Sequence, residues 1–245
     1  FKYLLIRNIV IFQQRYYYKV KFIKYIVIFL FFQGCSSNYE WGWYILNPNN
    51  IEGLTNIKFL ISGITTTVYI SLVSIFFAMI LGLVIALPSI SNNKFLSYFN
   101  IAYVEIVRAI PLLVLILWIY YGLPIMLGIS FSPFVSGIIA LTISESAFQA
   151  EIFRAGINSI NKGQHEVSHS LGMDFWKKMR LVILPQAIKV VLPALGNQFV
   201  YVLKMSSLVS IIGIADLTRK ANELVTTTYR PLEIYTFLIL EYLIL

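Results

Sequence analysis

The chain is poor in the residues that build disulfide frameworks and metal sites. It has a single cysteine, Cys35, and two histidines, His165 and His169, among 245 residues. One cysteine excludes an internal disulfide and any site made of several cysteines. Charge is also scarce, because 12% of the residues are charged while 58% are hydrophobic, and the mean hydropathy is +0.78. A soluble domain of this length is less apolar, so the composition predicts an integral membrane protein.

Two further absences restrict its chemistry. The sequence contains no G-x-x-x-x-G-K-[ST] stretch, so it does not bind ATP through a phosphate loop. We expect no catalytic residue, no metal and no cofactor. The net charge of +8 does not indicate nucleic acid, because lysines and arginines gather at the ends of apolar runs, where they meet anionic membrane lipid.

The apolar runs predict an all-α protein with about five core transmembrane helices. Each run is compared with the roughly 20 residues that cross a bilayer. The predicted helices are Phe59 to Leu87, Ile101 to about Tyr121, Phe134 to about Phe153, about Val190 to Ile212, and a last one after Pro231 that we interpret as truncated at Leu245. Residues 57–245 would form the membrane domain, and the basic residues of the loop at about 154–189 place that loop in the cytosol.

The N-terminal segment, residues 1–56, has a basic lead followed by the apolar run Phe22 to Phe32 and then Gln33-Gly34-Cys35. This pattern is typical of a secretion or lipoprotein signal. A short retained membrane anchor explains it as well, and we favour the anchor because the basic lead is long.

The cytosolic loop carries a spaced motif. Glu166-Val167-Ser168 is followed by Gly172 and then by Leu184-Pro185. This spacing resembles the EAA signature of permease subunits of ATP-binding-cassette importers. Further segments resemble the polar amino-acid uptake branch of that family, namely Ala147 to Gly156, Leu195-Gly196-Asn197-Gln198, Lys204 to Leu208 and Arg108 to Pro111.

The resemblance implies a multi-pass permease of the bacterial inner membrane that imports polar amino acids. It implies that an ATPase subunit grips the loop through five positions: Gly163, Glu166, Gly172, Leu184 and Pro185. A short lever helix would lie between Gly163 and Gly172. Since five helices are too few for a closed pathway and no soluble solute-capturing domain is present, we expect a second permease subunit, identical or related, and a separate periplasmic binding protein.

A rival interpretation uses the same loop. His165-Glu166-x-x-His169 matches the H-E-x-x-H pattern, in which two histidines bind zinc and the glutamate is a general base. A membrane-embedded metalloprotease is therefore the alternative function. It explains three residues, whereas the permease hypothesis explains about twenty.

Charge inside the predicted spans points to a solute pathway. Glu145 would lie near the bilayer midplane, where an unpaired carboxylate is costly. It either binds an ammonium group of the solute or pairs with Lys204, and both alternatives remain open. The other predicted pathway residues are Gln149, Asn197, Ser206 and Ser207. We expect Glu105 and Arg108 to form a structural pair, and Glu151 and Arg154 to be structural or gating residues.

Overall fold

The computed structural model describes residues 39–90 and 94–245, and its side chains except those at 88–90, 94–96 and 165. The chain divides into two compact units, Phe1–Trp41 and Gly42–Leu245. The predicted signal or anchor, Phe22 to Phe32 with Cys35, lies outside the described residues. Everything below concerns the second unit.

Every regular element in the described ranges is helical, which confirms the predicted fold class. The α-helices are α1 (Ile51–Ile90), α2 (Lys94–Ala109), α3 (Leu112–Leu117), α4 (Leu123–Leu127), α5 (Pro133–Asn158), α6 (Lys162–Ser170), α7 (Phe175–Lys178), α8 (Leu184–Met205), α9 (Leu217–Thr228) and α10 (Pro231–Ile244). Two π-helical turns, Trp118–Gly122 and Met179–Ile183, and two 3₁₀ segments, Trp43–Leu46 and Ser206–Ile212, connect or extend them.

Helices α1 and α5 form the central seam of the molecule. They run parallel, because Thr142 donates to the carbonyl of Ser74 and, further along both helices, Gly82 meets Gln149. A Cβ on Gly82 would lie 2.6 Å from the Cβ of Gln149, so only glycine permits this approach. The α1 face that points inward is a row of small, fully buried residues: Thr67, Ser71, Ser74 and Ala78. Small side chains bring two membrane helices close enough for extensive packing.

Helix α2 packs on the same seam through two polar contacts. Asn100 donates to the carbonyl of Ile85 on α1, and the Tyr103 hydroxyl lies 2.7 Å from the Ser146 hydroxyl on α5. The chain then turns by 93° between Ser97–Ala109 and Leu112–Leu127. The prediction of one continuous helix from Ile101 to Tyr121 is therefore wrong. Pro111 has no N–H and disfavours a helical conformation at Ile110, which ends α2 at this point.

Prolines also explain the two π-helical turns. Each turn ends two residues before a proline, Pro124 in one case and Pro185 in the other. A proline cannot donate to the carbonyl four residues earlier, and a wider turn accommodates the ring. The fourth predicted span accordingly starts earlier than Val190, because Phe175 to Ile212 forms one long helical segment.

Two helices in the described ranges, Ile51–Leu87 and Phe175–Ile212, are long and apolar enough to cross a membrane, and the bent pair adds a third span. Helix α5 has the length for a crossing with 26 residues, but polar side chains at its centre make it less apolar than these. Helix α10 has 14 residues. The count of five spans thus stays a prediction at α5 and α10.

The chain that precedes α1, together with α9 and α10, packs against the N-terminal part of α1. Ile45 and Leu46 pack in a cluster with Leu60, Leu224 and Ile234. The backbone N–H of Gly42 donates to the buried Glu233 side chain. At the start of α9, the Leu217 N–H donates to the Thr67 hydroxyl on α1 at 3.2 Å. These contacts fix α9 and α10 against α1.

Asp216 caps the N-terminus of α9, just beyond the Phe175–Ile212 span. Its carboxylate accepts from the Arg219 N–H at 2.9 Å, which satisfies a free donor of the first helical turn. The side chain is fully buried. Burial raises the pKa of Asp216 to about 6, although the hydrogen bonds from Arg219 and Thr218 oppose the shift.

Candidate functional site

Glu145 lies in the middle of α5 and is fully buried. The Gln198 side-chain amide, on α8, donates to its Oε2 at 2.5 Å. The second oxygen, Oε1, is buried and has no hydrogen-bond partner among the described residues. A buried carboxylate oxygen without a partner is costly, so this atom is a ready acceptor for a polar group that enters from outside the chain.

Lys204 does not pair with Glu145, so that alternative for Glu145 is overturned. The described residues contain no ion pair between the two, and Lys204 is exposed. The reason is helical geometry. Lys204 follows Gln198 by six residues, and each residue of an α-helix is rotated by about 100° from the one before it. Lys204 therefore points about 120° away from the side of α8 that faces Glu145.

Gln149 lies one turn further along α5 and is also fully buried. Neither its amide nitrogen nor its amide oxygen has a partner in the described part of the chain. The structure therefore brings Gln149 next to Glu145 in an i,i+4 relation, as the sequence suggested. Together they leave three buried polar atoms uncommitted, and Gln149, which carries two of them, also packs against Gly82 of α1.

Two aromatic rings flank the carboxylate. Phe148 follows Glu145 by one turn on α5, and Tyr201 follows Gln198 by one turn on α8, with the two ring centres 6.3 Å apart. The Tyr201 hydroxyl is within Coulombic range of Glu145. Sequence reasoning missed Gln198, Phe148 and Tyr201. A usable signal existed, since each aromatic ring lies three residues after one of the two hydrogen-bonded polar residues.

Arg108 from α2 completes the group. Its guanidinium carbon lies 5.0 Å from the centre of the Phe148 ring, in cation–π geometry. The predicted pair between Glu105 and Arg108 is not formed, because the guanidinium stacks on the ring instead. Helices α2, α5 and α8 thus converge on one site with a carboxylate, an amide, two rings and a guanidinium.

The remaining predicted pathway residues lie away from this group. Asn197 is exposed, one residue and about 100° from Gln198 on α8. The hydroxyls of Ser206 and Ser207 each donate to a backbone carbonyl three residues earlier, at 2.7 Å. Their protons are therefore committed to the end of α8, and the structure does not bring these serines to Glu145.

The end of α5 that lies nearest the loop holds an ion pair. Arg154 donates to the Glu151 carboxylate in an i,i+3 pairing, and both side chains are partly exposed. The pair lies beyond the Glu145 group in the direction of the loop. An exposed pair of this kind contributes little to stability, so its role as a gate stays a prediction.

Helix α6 is the predicted short helix of the loop. Asn161 caps its start by accepting from the Gly163 N–H at 2.8 Å. At its end the Gly172 N–H donates to the His169 carbonyl and the Met173 N–H to the Ser168 carbonyl, which is a Schellman motif. Gly172 has a φ of +67°, a conformation that favours glycine. The sequence therefore located both ends of this helix to within two residues.

An apolar surface surrounds α6 and α7. Val167, Leu171, Phe175 and Trp176 are exposed, and Trp176 retains 77% of its accessible surface. Glu166 is exposed beside them. Such a polar-rimmed apolar patch on the surface of a membrane protein's loop is typical of a protein docking site. We call these five residues the loop patch.

The loop is also tied firmly to the spans. Ile183, fully buried in the π-helical turn, packs with Ile157, Ile160 and Ala187 from α5, its following turn and α8. Leu184 and Pro185 begin α8 directly after this turn. A shared apolar cluster therefore connects the loop to α5 and α8.

The zinc hypothesis receives no support from this geometry. In residues 39–90 and 94–245, no group of three or more histidine, cysteine, aspartate or glutamate side chains could hold a metal ion. His169 is exposed on α6, and the side chain of His165 lies outside the described part. A third ligand for the histidine pair is therefore not provided by the described residues.

Comparisons with known proteins agree with the architecture. Residues 76–245 match the family model described as the binding-protein-dependent transport system inner membrane component. The probable glutamine ABC transporter permease protein GlnM of Bacillus subtilis is 39% identical over 190 residues, covering 78% of this chain and 88% of the relative. The arginine transport system permease protein ArtQ of the same organism is 36% identical, covering 74% and 82%. The glutamine transport system permease protein GlnP of Escherichia coli is 33% identical, covering 77% and 87%.

Two solved structures share the fold. A crystal structure of an amino acid ABC transporter with histidines superposes with a TM-score of 0.73 at 41% identity, covering 78% of this chain and 89% of that one. The inward-facing MetNI methionine ABC transporter gives a TM-score of 0.65 at 20% identity, which concerns the fold alone. The family model covers most of the chain, and the loop with its capped α6 lies inside the matched range. The chain therefore belongs to the family of inner-membrane permease components of binding-protein-dependent ABC transport systems.

Proposed function

We propose that this permease imports a polar amino acid and that Glu145 binds the ammonium group of the solute. The observation that carries the proposal is the fully buried carboxylate with one oxygen held by Gln198 and the other uncommitted. An ammonium ion supplies both the positive charge and the hydrogen-bond donors that this oxygen lacks. The printed names of the relatives, which concern glutamine and arginine, support the same class of solute.

The energy would come from an ATPase subunit that docks on the loop patch. Helix α6 with its exposed Val167 and Leu171 would enter a groove of the ATPase, and the buried Ile183 cluster would carry the motion to α5 and α8. This is a rigid-body mechanism, in which a small shift at an interface turns whole helices. The permease itself would not be an enzyme, because hydrolysis belongs to the partner.

A second permease subunit, identical or related, would cover the open side of α8. Only 17% of the apolar stretch in Phe175–Ile212 that could cross the membrane is buried, against 39% for that in Ile51–Leu87. Exposed apolar residues such as Ile188 and Leu192 on α8 are available for this contact. A periplasmic binding protein would deliver the solute at the opposite face from the loop.

Transport by the reconstituted complex tests the proposal. Vesicles that contain the permease, its ATPase and its binding protein should accumulate labelled glutamine, arginine or histidine when ATP is supplied. Glu145→Gln keeps the size of the side chain and removes its charge. Loss of a charge-assisted hydrogen bond corresponds to about 1.5–3 kcal/mol, so uptake should fall about tenfold or more.

The matched control is Glu223→Gln on α9. Glu223 is partly exposed and pairs with Arg219 outside the spans, so the same chemical change should leave uptake intact. Full uptake by Glu145→Gln, with normal assembly of the complex, would refute the ammonium site. Absence of amino-acid accumulation by the unaltered complex would refute the proposed function as a whole.

A further inference from the structure

Resting on the proposed amino-acid pathway, we propose that Arg108 binds the carboxylate of the solute. Glu145 and Arg108 would then recognise the two opposite charges of one zwitterion. The solute class is thereby narrowed from compounds with an amine to free amino acids with an unmodified carboxylate.

The guanidinium of Arg108 is held in place by an aromatic ring, but its N–H groups donate no hydrogen bond to another described residue. It stacks on Phe148 with its face, and it forms no ion pair and no hydrogen bond among the residues that the structure describes. The side chain is exposed. Stacking occupies the face of a guanidinium and leaves its five N–H donors at the edge free. Arg108 therefore presents a complete donor set beside the Glu145 group.

The two opposite charges are near each other without neutralising each other. Phe148 follows Glu145 by three residues, which is about 4.5 Å along the axis of α5, and Arg108 lies on that ring. Gln198 takes one oxygen of Glu145, while the other oxygen remains without a partner. Glu145 and Arg108 form no ion pair with each other in the described residues, so neither charge is cancelled by the other.

A free amino acid has the complementary arrangement, because one carbon atom carries both its ammonium and its carboxylate. Its ammonium would bind Oε1 of Glu145, and its carboxylate would accept two N–H bonds from the edge of Arg108. Arginine binds carboxylates in this bidentate way, whereas lysine offers a single point charge. A solute without the carboxylate would engage Glu145 alone.

Pairs of ligands that differ only by the carboxylate test this assignment. We suggest titrating the purified permease–ATPase complex, followed by ligand-observed NMR, with L-arginine and agmatine, L-glutamine and 4-aminobutanamide, and L-histidine and histamine. The unaltered complex should bind at least one amino acid about tenfold or more tightly than its decarboxylated partner. In Arg108→Met the amino acid should bind no better than the amine, whose own affinity stays unchanged.

Two control variants show whether a loss of discrimination comes from misfolding or from an indirect effect. Arg108→Lys keeps a cation over Phe148 and should retain assembly, yet lose about threefold or more of the discrimination because the bidentate fork is gone. Arg219→Met, on the outer helix α9, should leave the discrimination unaltered.

The outcomes separate the inference from the proposed function. An unchanged preference for the amino acid in folded Arg108→Met or Arg108→Lys overturns the role of Arg108 and leaves the amino-acid pathway intact. An equal loss of affinity for both members of a pair shows a structural role and also overturns it. If the unaltered complex binds none of the three amino acids, the pathway and the role of Arg108 fail together.

Discussion

The two sides of helix α5 differ in how closely they are packed. Toward α1 the packing is close, with Gly82 in direct contact with α5 and a row of fully buried small residues around it. Toward α8 the packing is sparse, and the segment Phe175–Ile212 buries less than half the share that Ile51–Leu87 does. The comparison teaches that one side of α5 is a fixed seam, whereas the other keeps one oxygen of Glu145 free for a solute and apolar surface free for partners.

The largest effect is expected from substitutions in the loop, which should remove the contact with the ATPase. Replacing Gly172 with Trp forces a bulky residue into a left-handed conformation, which costs about 1–2 kcal/mol and distorts the end of α6. Replacing Glu166 with Lys reverses a charge within the loop patch. Both variants should lose the ATPase, and uptake should fall to background, as measured by co-purification and vesicle transport.

Gly128→Trp is the matched control for this prediction. Gly128 has nearly the same φ, +66°, and open space around it, but it ends α4, far along the chain from the loop. It should bind ATPase normally. Recovery of ATPase with Gly172→Trp and Glu166→Lys in the same amounts as with the control would contradict the docking role.

A single methyl group should break the seam. Gly82→Ala places a Cβ 2.6 Å from the Gln149 Cβ and 2.9 Å from the Ser146 carbonyl oxygen, so α1 and α5 must separate. Overpacking of this kind costs about 1–3 kcal/mol. The melting temperature of the detergent-solubilised permease should fall accordingly. Gly196→Ala on α8 meets nothing within 4 Å and should be neutral or slightly stabilising; equal effects at the two positions would erase the difference between the sides.

We expect the two histidines of the loop to be unimportant for transport. Changing His165 and His169 together to Gln alters two polar side chains near the loop patch without touching the seam. Uptake should stay within about twofold of normal, as for most surface substitutions. Metal analysis of the purified protein should find no stoichiometric zinc. Zinc that is present at one per chain and lost in the double variant, together with peptide cleavage, would restore the metalloprotease hypothesis.

The smallest effect concerns Asp216, which caps α9 at the closed end of the seam. Its folded pKa of about 6 exceeds the ordinary value of 3.8, so folding favours its protonated form. The resulting stabilisation is present below pH 4 and is lost as the pH rises through 6. Compared with Asp216→Asn, the unaltered permease should therefore lose melting temperature between pH 4 and pH 6.5. A constant difference between the two proteins across this range would contradict the shift.

Sequence reasoning located groups whose position follows from local rules. Asn161 and Gly172 are cap residues for α6, and the charge of Glu145 inside an apolar run marks a polar site. It failed where two distant helices must be aligned. The choice of Gln198 over Lys204 as the partner of Glu145 depends on which side of α8 faces α5, and apolar composition does not encode that choice. The bend at Pro111 was readable from the residue itself, but the apolar run around it favoured a straight span.

The number of residues in the π-helical turn at Met179–Ile183 determines which side of α8 faces α5. A π turn holds one residue more than a regular turn, so every side chain downstream is rotated by about 100° relative to an uninterrupted α-helix. Deleting one residue there would let the helix close regularly, yet it would swing Gln198 and Tyr201 off the carboxylate while the composition of α8 stayed the same. Apart from the buried Ile183, it is thus the number of residues in the turn, more than their identity, that sets which side chains meet Glu145.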